Sequence, residues 1–418
     1  MRVRAFQFRI AWLVSAIGWA PPCVCGAQPT LSVTQAVERA LQNRPALKAE
    51  AERVDAARGL RDQARKFSNP DLLFQNENLR PGQIYSRDVD TLAYFTQPLD
   101  LLGKRGARIA AATDGITRAE ANYALAQLDT IRRVSLAYWA ARGAQDRRDL
   151  LIANANTFQR VVDYHNAQLS VGAIAEQDVL RIRLEGERLQ IGARLAALDA
   201  SRTRVQLLKE IGDPADSDVV LSDSLDEPDS TAPVLPIEQV LAQHPAVRAA
   251  QASVAEAHAR SRLQDVAARP DIAALVGYKR TLLPDHLNGV NTAIAGVSVT
   301  LPLLDRNEGN RAAAEADVRR ARYLLEAAEA DVRADYEAAR QEYELRRAEV
   351  TTLLDPLRDH AMEIASIAQA AYTQAGTDLL RLLDAQRARL DADSAWVQGM
   401  VEYRQSIVNL HAAEGVPR

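Results

Sequence analysis

Residues 103–169 read GKRGARIAAATDGITRAEANYALAQLDTIRRVSLAYWAARGAQDRRDLLIANANTFQRVVDYHNAQL, a run with no proline in it. At roughly 1.5 Å per residue it makes a helix about 100 Å long, several times the ordinary globular helix. No compact domain can bury it. The run breaks at SVGAIAEQD, residues 170–178, and resumes to Ile211. A second run from about Asn307 to Gln374 breaks at QAGTD, residues 374–378, and resumes to about His411. Two such hairpins build a rod or a tube.

Composition agrees. Of 418 residues 47% are hydrophobic but only 5% aromatic, the balance of long packed helices rather than two or three globular domains. A net charge of -4, without basic clusters, gives no footing for nucleic acid. The chain opens MRVRAFQFR and then IAWLVSAIGWA, a basic start and a short apolar stretch. That pattern predicts a signal peptide over residues 1–27, cleaved after Ala27, rather than a membrane span of about twenty residues. Both cysteines, Cys23 and Cys25, fall in this leader, so the mature chain has no disulfide framework; a lipid anchor on either is the competing reading. No other stretch is apolar for long enough to span a bilayer as a helix. A membrane role must come from strands.

The long runs belong to a tandem duplication. QNRPALKAEAERVDAARG from Gln42 matches AQHPAVRAAQASVAEAHA from Ala242, and YFTQPLDLLGKRGARIAAA from Tyr94 matches VSVTLPLLDRNEGNRAAAEA from Val297. LSVGAIAEQDVLR from Leu169 matches YTQAGTDLLRLLD from Tyr372. Pro45 pairs with Pro245, Pro98 with Pro302 and Gly172 with Gly376. The expected division is a first unit over 28–211, an acidic, proline-rich linker over 212–235, a second unit over 236–415 and a tail of 416–418. In each unit a short helix comes first, with Thr34 as the expected cap of QAVERALQN. A proline then opens the next helix, where its missing N–H costs nothing.

Two strand-length segments follow in each unit: DLLFQNENL and VDTLAYFTQ in the first, DIAALVGYK and TAIAGVSVTL in the second. Ala295, Val297, Val299 and Leu301 alternate with Gly296, Ser298 and Thr300, and Leu72 and Phe74 oppose Gln75 and Glu77. About nine or ten residues suffice for a tilted strand to cross a bilayer. On the first return helix Leu184, Ile191, Leu195, Leu198, Val205 and Leu208 form a heptad-like seam, as do Leu383, Leu390, Val397, Val401 and Val408 on the second. Pro356 should kink or restart the third long run, at about 3 kcal/mol if uncompensated. Its counterpart near Ile152 is not proline.

Four strands cannot close a membrane barrel, and open edges in lipid are forbidden. Two chains would supply eight strands and three would supply twelve. With QPL or LPLLD leading into a long helix and a tip of the form VGAIAEQDVL, the chain resembles the TolC family of outer-membrane efflux channels, from about Leu31 to Gly415. NPDLLFQNEN with TQPLDLLGKRGARIAAA is most similar to its CzcC-type branch, the outer-membrane components of heavy-metal efflux systems. The resemblance implies a mainly α fold with a small β portion: duplicated α-hairpins in an α-barrel, and four strands per chain in a homotrimeric twelve-stranded outer-membrane β-barrel. It implies outer-membrane lipid around that barrel, a tunnel in the periplasm, a periplasmic adaptor and, through it, an inner-membrane pump of the resistance-nodulation-division type.

It also implies where function resides. Asp178 matches the family's acidic tip position. Asp384 matches the acidic aperture position only after a one-residue gap, and Arg381 stands where a second acid often lies. These three are the gate candidates; Val171, Gly172, Ala173, Gly376 and Thr377 are the adaptor-docking candidates. An ordinary Arg381–Asp384 surface contact, and glycines that merely let the helix turn, are the alternative readings. Lys104 and Arg105 are expected to be set by the barrel-to-tunnel joint or by lipid head groups. His165, His244, His258, His286, His360 and His411 lack metal-ligand spacing; Glu256 with His258, and Asp285 with His286, read as a solvated helix face or loop. No metal site, cofactor, phosphate loop or nucleophile motif is expected, so the chain reads as a passive duct rather than an enzyme. Multidrug export is the alternative cargo. A soluble periplasmic coiled-coil scaffold with a small sheet is the alternative class.

Overall fold

The computed structural model describes residues 30–79, 89–213, 219–226, 235–281, 289–374 and 379–416. The leader with Cys23, Cys25 and Ala27, the pair Asp285 and His286, and Gly376 and Thr377 lie outside these residues. The first half of the chain runs β1 (Thr30–Leu31), α1 (Val33–Asn43), α2 (Pro45–Ala64), β2 (Asp71–Glu77), β3 (Asp90–Leu99), α3 (Lys104–Ser170) and α4 (Glu176–Ile211). After β4 (Val220–Leu221) the second half repeats the order: α5 (Ile237–Gln243), α6 (Pro245–Ala267), β5 (Asp271–Thr281), β6 (Val290–Thr300), α7 (Glu308–Glu349), a π-helical turn (Val350–Leu354), α8 (Asp355–Thr373) and α9 (Leu379–Ala413).

Ser32, not Thr34, caps α1. Its hydroxyl accepts from the Gln35 N–H at 3.2 Å while Gln35 Oε1 accepts from the Ser32 N–H at 3.1 Å. This S-x-x-Q capping box satisfies two donors at once, which places Thr34 inside the first turn.

Prolines 45 and 245 force Arg44 and His244 into extended backbone, and each begins a new helix. At those points the returning helices arrive. Gly212, at φ 84°, lies so close to Arg44 that a Cβ would sit 3.1 Å from its Cα; Gly415, at φ 72°, would put a Cβ 2.9 Å from the Cα of His244. The left-handed turn and the close approach both require glycine. Thus α4 hands over to α2 and α9 to α6, making two nearly continuous columns beside α3 and α7.

The second splice has a titratable pin. His244 Nδ1 accepts from the Ala246 N–H at 3.2 Å, and Nε2–H donates to the Ala412 carbonyl at 3.3 Å. Burial lowers its pKa, against the opposing pull of Asp335. A histidine lowered in this way contributes stability above its ordinary value and loses it as pH falls through the folded one. Acidification from about pH 7 to about pH 5 is therefore expected to speed amide exchange at the α5–α6 junction. His244→Asn, which keeps an acceptor, should abolish that pH dependence.

The four long strands form one antiparallel sheet in the order β2-β3-β5-β6. Register puts Leu72, Phe95, Val276 and Ala295 across from one another on one face, with Phe74, Ala93, Tyr278 and Ala293, and with Leu99, Ile272 and Val299. The other face carries Asp71, Gln75, Glu77, Asp90, Thr96, Lys279, Ser298 and Thr300. There Asp90 is ion-paired to Lys279 at 2.6 Å and accepts from Thr281 at 2.6 Å. One face is the more apolar, but the second is mixed: Leu73, Leu92, Tyr94, Leu275 and Ile294 share it with those polar groups, so the alternation holds only in part. Among the described residues no helix packs over either face, and the outer edges of β2 and β6 are unpaired. An 11-residue strand such as β5 is about 36 Å long and covers about 28 Å when tilted by about 40°.

The main core lies where the columns splice. Tyr138 is fully buried, donating to the Leu31 carbonyl at 2.9 Å and accepting from the Asp223 N–H at 3.2 Å. Part of the acidic linker is built into this core. Val219, Leu221 and Leu225 are buried, β4 pairs in parallel with β1, and Arg142 donates to the Leu221 carbonyl at 2.6 Å.

Pro356 marks a restart of the run, as expected, without a gap. The π-helical turn follows α7 and ends at Leu354, immediately before Asp355, so proline falls in the first turn of α8, where no N–H is needed. Thr351 and Thr352 hydroxyls donate to the Arg347 and Ala348 carbonyls at 3.0 and 2.7 Å. Asp355 accepts from Trp396 Nε1 at 2.8 Å, tying the turn to α9. The equivalent part of α3 is unbroken. Across α9, Gly143 of α3 meets Val401: a Cβ there would lie 2.1 Å from Val401 Cγ2 and 3.4 Å from its Cβ. The stiff valine cannot rotate away. Gly143→Ala should lower the thermal midpoint, because about 1–3 kcal/mol of overpacking exceeds a helix-propensity gain of about 1 kcal/mol. Gly59→Ala, with nothing within 4 Å, should be neutral or slightly stabilising.

Candidate gate and docking tips

The first tip is a tight reversal. The Gly172 and Ala173 N–H groups donate to the Leu169 and Gln168 carbonyls at 3.0 and 2.9 Å, closing the end of α3 with Gly172 at φ 72°. Val171, Gly172 and Ala173 are all exposed, Val171 at 77%. Asp178 sits with Glu176 in the first turn of α4, where a carboxylate offsets the positive helix end.

Above the tips the two hairpins are joined by charge. Glu185 of α4 is buried and grips Arg387 of α9 with both oxygens, accepting from Nε at 2.9 Å and from Nη2 at 2.5 Å. The bidentate guanidinium holds the Glu185 carboxyl below the usual range, and the carboxylate raises Arg387 in turn. Arg188 stands 3.7 Å from Glu185, and Asp384 lies exposed 3.8 Å from Arg387. Asp384 therefore belongs to this ladder of charges at its solvent end. Among the described residues Asp384 has Arg387, one turn further along α9, as its salt-bridge partner.

A second tie is aromatic. His165 of α3 is buried, its Nδ1–H donating to the Val161 carbonyl at 2.8 Å and Nε2 facing the Tyr372 hydroxyl of α8 at 3.0 Å. Tyr164 meets the imidazole edge-on at 5.2 Å. Between the ties Phe158, Val162, Ile182 and Leu383 form a small apolar core. Neither Glu185–Arg387 nor His165–Tyr372 was legible as a pair. The usable signal is the repeat register: positions 202 apart are nearly equivalent in the two units, and this equivalent pair has opposite charge.

Other expectations meet the structure directly. Lys104 pairs with Asp271 at 2.6 Å, and Arg105 donates twice to the Arg65 carbonyl at 3.0 and 2.7 Å, so both are set by the joint between sheet and helices. Glu256 is not on a solvated face: it is buried and ion-paired to Arg118 at 2.5 Å and Arg260 at 2.7 Å. His258 accepts instead from Arg322 at 3.1 Å. Packing of α3 on α6 encloses Glu256, which helix periodicity alone did not reveal. Among the described residues there is no group of three or more His, Cys, Asp or Glu able to hold a metal ion, and no helix long and apolar enough to cross a membrane.

A long duplicated helical bundle carrying a two-faced sheet with open edges is the protomer of an outer-membrane efflux channel. The sequence matches the outer membrane efflux protein family over residues 36–212 and 237–416, and the chain belongs to that family. It is a transport channel of the outer membrane, not an enzyme. It is 27% identical over 83% of its length, and 81% of the relative's, to the cobalt-zinc-cadmium resistance protein CzcC of Cupriavidus metallidurans. It is 26% identical to the nickel and cobalt resistance protein CnrC of the same organism, over 81% and 79% of the two chains. The Campylobacter jejuni CmeC outer membrane channel superposes with a TM-score of 0.76 at 17% identity, covering 92% of this chain and 85% of that one.

Proposed function

We propose that the chain forms, as a homotrimer, the exit duct of a tripartite efflux system for divalent heavy-metal cations. The observation that carries the cargo is the pair of metal-resistance relatives, each aligned over most of both chains. Trimeric closure is supported by the surface. Leu184, Ile191, Leu195, Leu198 and Val205 of the α4 seam are all exposed, as are Leu345, Leu353, Leu357, Ile364 and Ile367 along α7, the π-helical turn and α8. With the unpaired edges of β2 and β6, these are the surfaces that neighbouring copies would cover.

The tips, Val171, Gly172, Ala173, Gly376 and Thr377, dock a periplasmic adaptor, which connects the duct to an inner-membrane pump of the resistance-nodulation-division type. Selection of the ion rests with that pump. At the periplasmic end the Glu185–Arg387 pair holds the two hairpins together, and Asp178, Arg381 and Asp384 line the mouth beneath it. Deleting the chain should lower tolerance to cobalt, zinc, cadmium or nickel salts while leaving dye and antibiotic tolerance unchanged. The reverse pattern would make the cargo organic.

A further inference from the structure

The base of the sheet carries a collar that transport does not explain. Below Leu99 and Val299 each strand-to-helix connection presents a leucine pair, Leu101–Leu102 before α3 and Leu303–Leu304 before α7. Leu303 is 71% exposed and Leu304 fully exposed, and Phe67, just beyond α2, is 68% exposed. Along the chain Leu101–Leu102 and Leu303–Leu304 follow closely on Leu99 and Val299 of the apolar face, just past its last paired row.

Cations stand beside them. Arg65 and Lys66 follow α2, Arg105 opens α3, Arg269 follows α6 and Arg306 precedes α7. Hydrogen bonds hold these segments at one level. Arg105 bonds the Arg65 carbonyl with its guanidinium 4.3 Å from the centre of the Phe67 ring, Arg269 donates to the Leu102 carbonyl at 2.6 Å, and Asn307 donates to the Gln264 carbonyl at 2.9 Å. Among the described residues none of Arg65, Lys66, Arg105, Arg269 and Arg306 is paired with a carboxylate, whereas their neighbours Lys104, Arg108 and Arg311 bind Asp271, Asp100 and Asp265.

We propose that this collar docks anionic phospholipid of the periplasmic leaflet, with the leucine pairs and Phe67 at the acyl boundary and Lys66 and Arg306 against the phosphates. Continuity with the apolar face of the sheet assigns the occupant to the membrane. The helices leave on this side, which assigns the leaflet. Cations without carboxylate partners favour a lipid of net negative charge over a zwitterion, whose own ammonium group competes for its phosphate. The inference needs only residence in the outer membrane and is independent of cargo and gate.

The test uses the full chain in neutral detergent, mixed with phosphatidylglycerol, phosphatidylcholine or lipid A, with bound lipid counted by native mass spectrometry. Wild type should retain phosphatidylglycerol about fivefold or more over phosphatidylcholine at about 0.1 M salt, and the advantage should shrink at about 0.5 M. Lys66→Glu with Arg306→Glu should erase the advantage, and Leu303→Ser with Leu304→Ser should reduce retention of both phospholipids. Equal retention of the two phospholipids by wild type overturns the proposal, as does an advantage that survives the charge reversals. So does lipid A retained above phosphatidylglycerol. The wild-type comparison depends on no variant folding.

Discussion

Glu185→Gln is expected to raise the conductance of the purified channel in planar bilayers several-fold. The substitution keeps the size of the side chain but removes the charge that two arms of Arg387 grip, leaving that half-exposed guanidinium only Asp384, 3.8 Å away. The charge-assisted bidentate contact across α4 and α9 is lost with it. The hairpins should then separate at α4 and α9. Acid should imitate the mutation: the Glu185 carboxyl is held below its ordinary value, so the tie is complete above about pH 4.3 and is lost as pH falls through the folded pKa. The exchange Glu185→Arg with Arg387→Glu should restore low conductance. Arg381→Ala with Asp384→Ala tests the outer mouth separately. A wild-type current from Glu185→Gln would remove this pair from the gate.

Leu195→Lys combined with Leu198→Lys is expected to abolish the heat-modifiable trimer band on an unboiled gel while leaving the helical signal of the chain intact. Both leucines are exposed in the protomer, at 62% and 48%, so nothing inside the chain is lost. In a closed ring each would bury apolar surface worth about 1.5–3 kcal/mol when fully covered, and two ammonium groups in that seam would go unpaired. Leu208→Lys is the contrasting control. That leucine of the same seam is only 4% exposed, and its replacement should destabilise the protomer itself.

That contrast marks how far the sequence could be read. Helix length and the tandem register follow from local periodicity and repetition, and the structure has both; the two faces of the sheet follow only in part, because Leu73, Leu92, Leu275 and Ile294 fall on the more polar one. At about 100° per residue Leu208 lies about 140° round the helix from Leu195, so the two do not share a face. Periodicity does not say which of those faces another helix of the same chain covers. The buried Glu256 and the Glu185–Arg387 bridge were missed for the same reason: each depends on which element arrives alongside, not on spacing within one element. The Ser32 cap, by contrast, was legible in the local S-x-x-Q spacing. The π-helical turn escaped notice because Pro356 announces a break without announcing its form.

The turn at Val350–Leu354 also separates the two halves of the chain in mechanical character. The first half carries one unbroken 67-residue helix, whereas its equivalent is jointed at the π-helical turn, with α8 (Asp355–Thr373) below the joint packed on α9 through Trp396–Asp355 and Arg358–Asp393. Around a ring of three chains, rigid staves and articulated ones would then alternate. In such a ring the wall would be made of six similar parts with three-fold rather than six-fold stiffness.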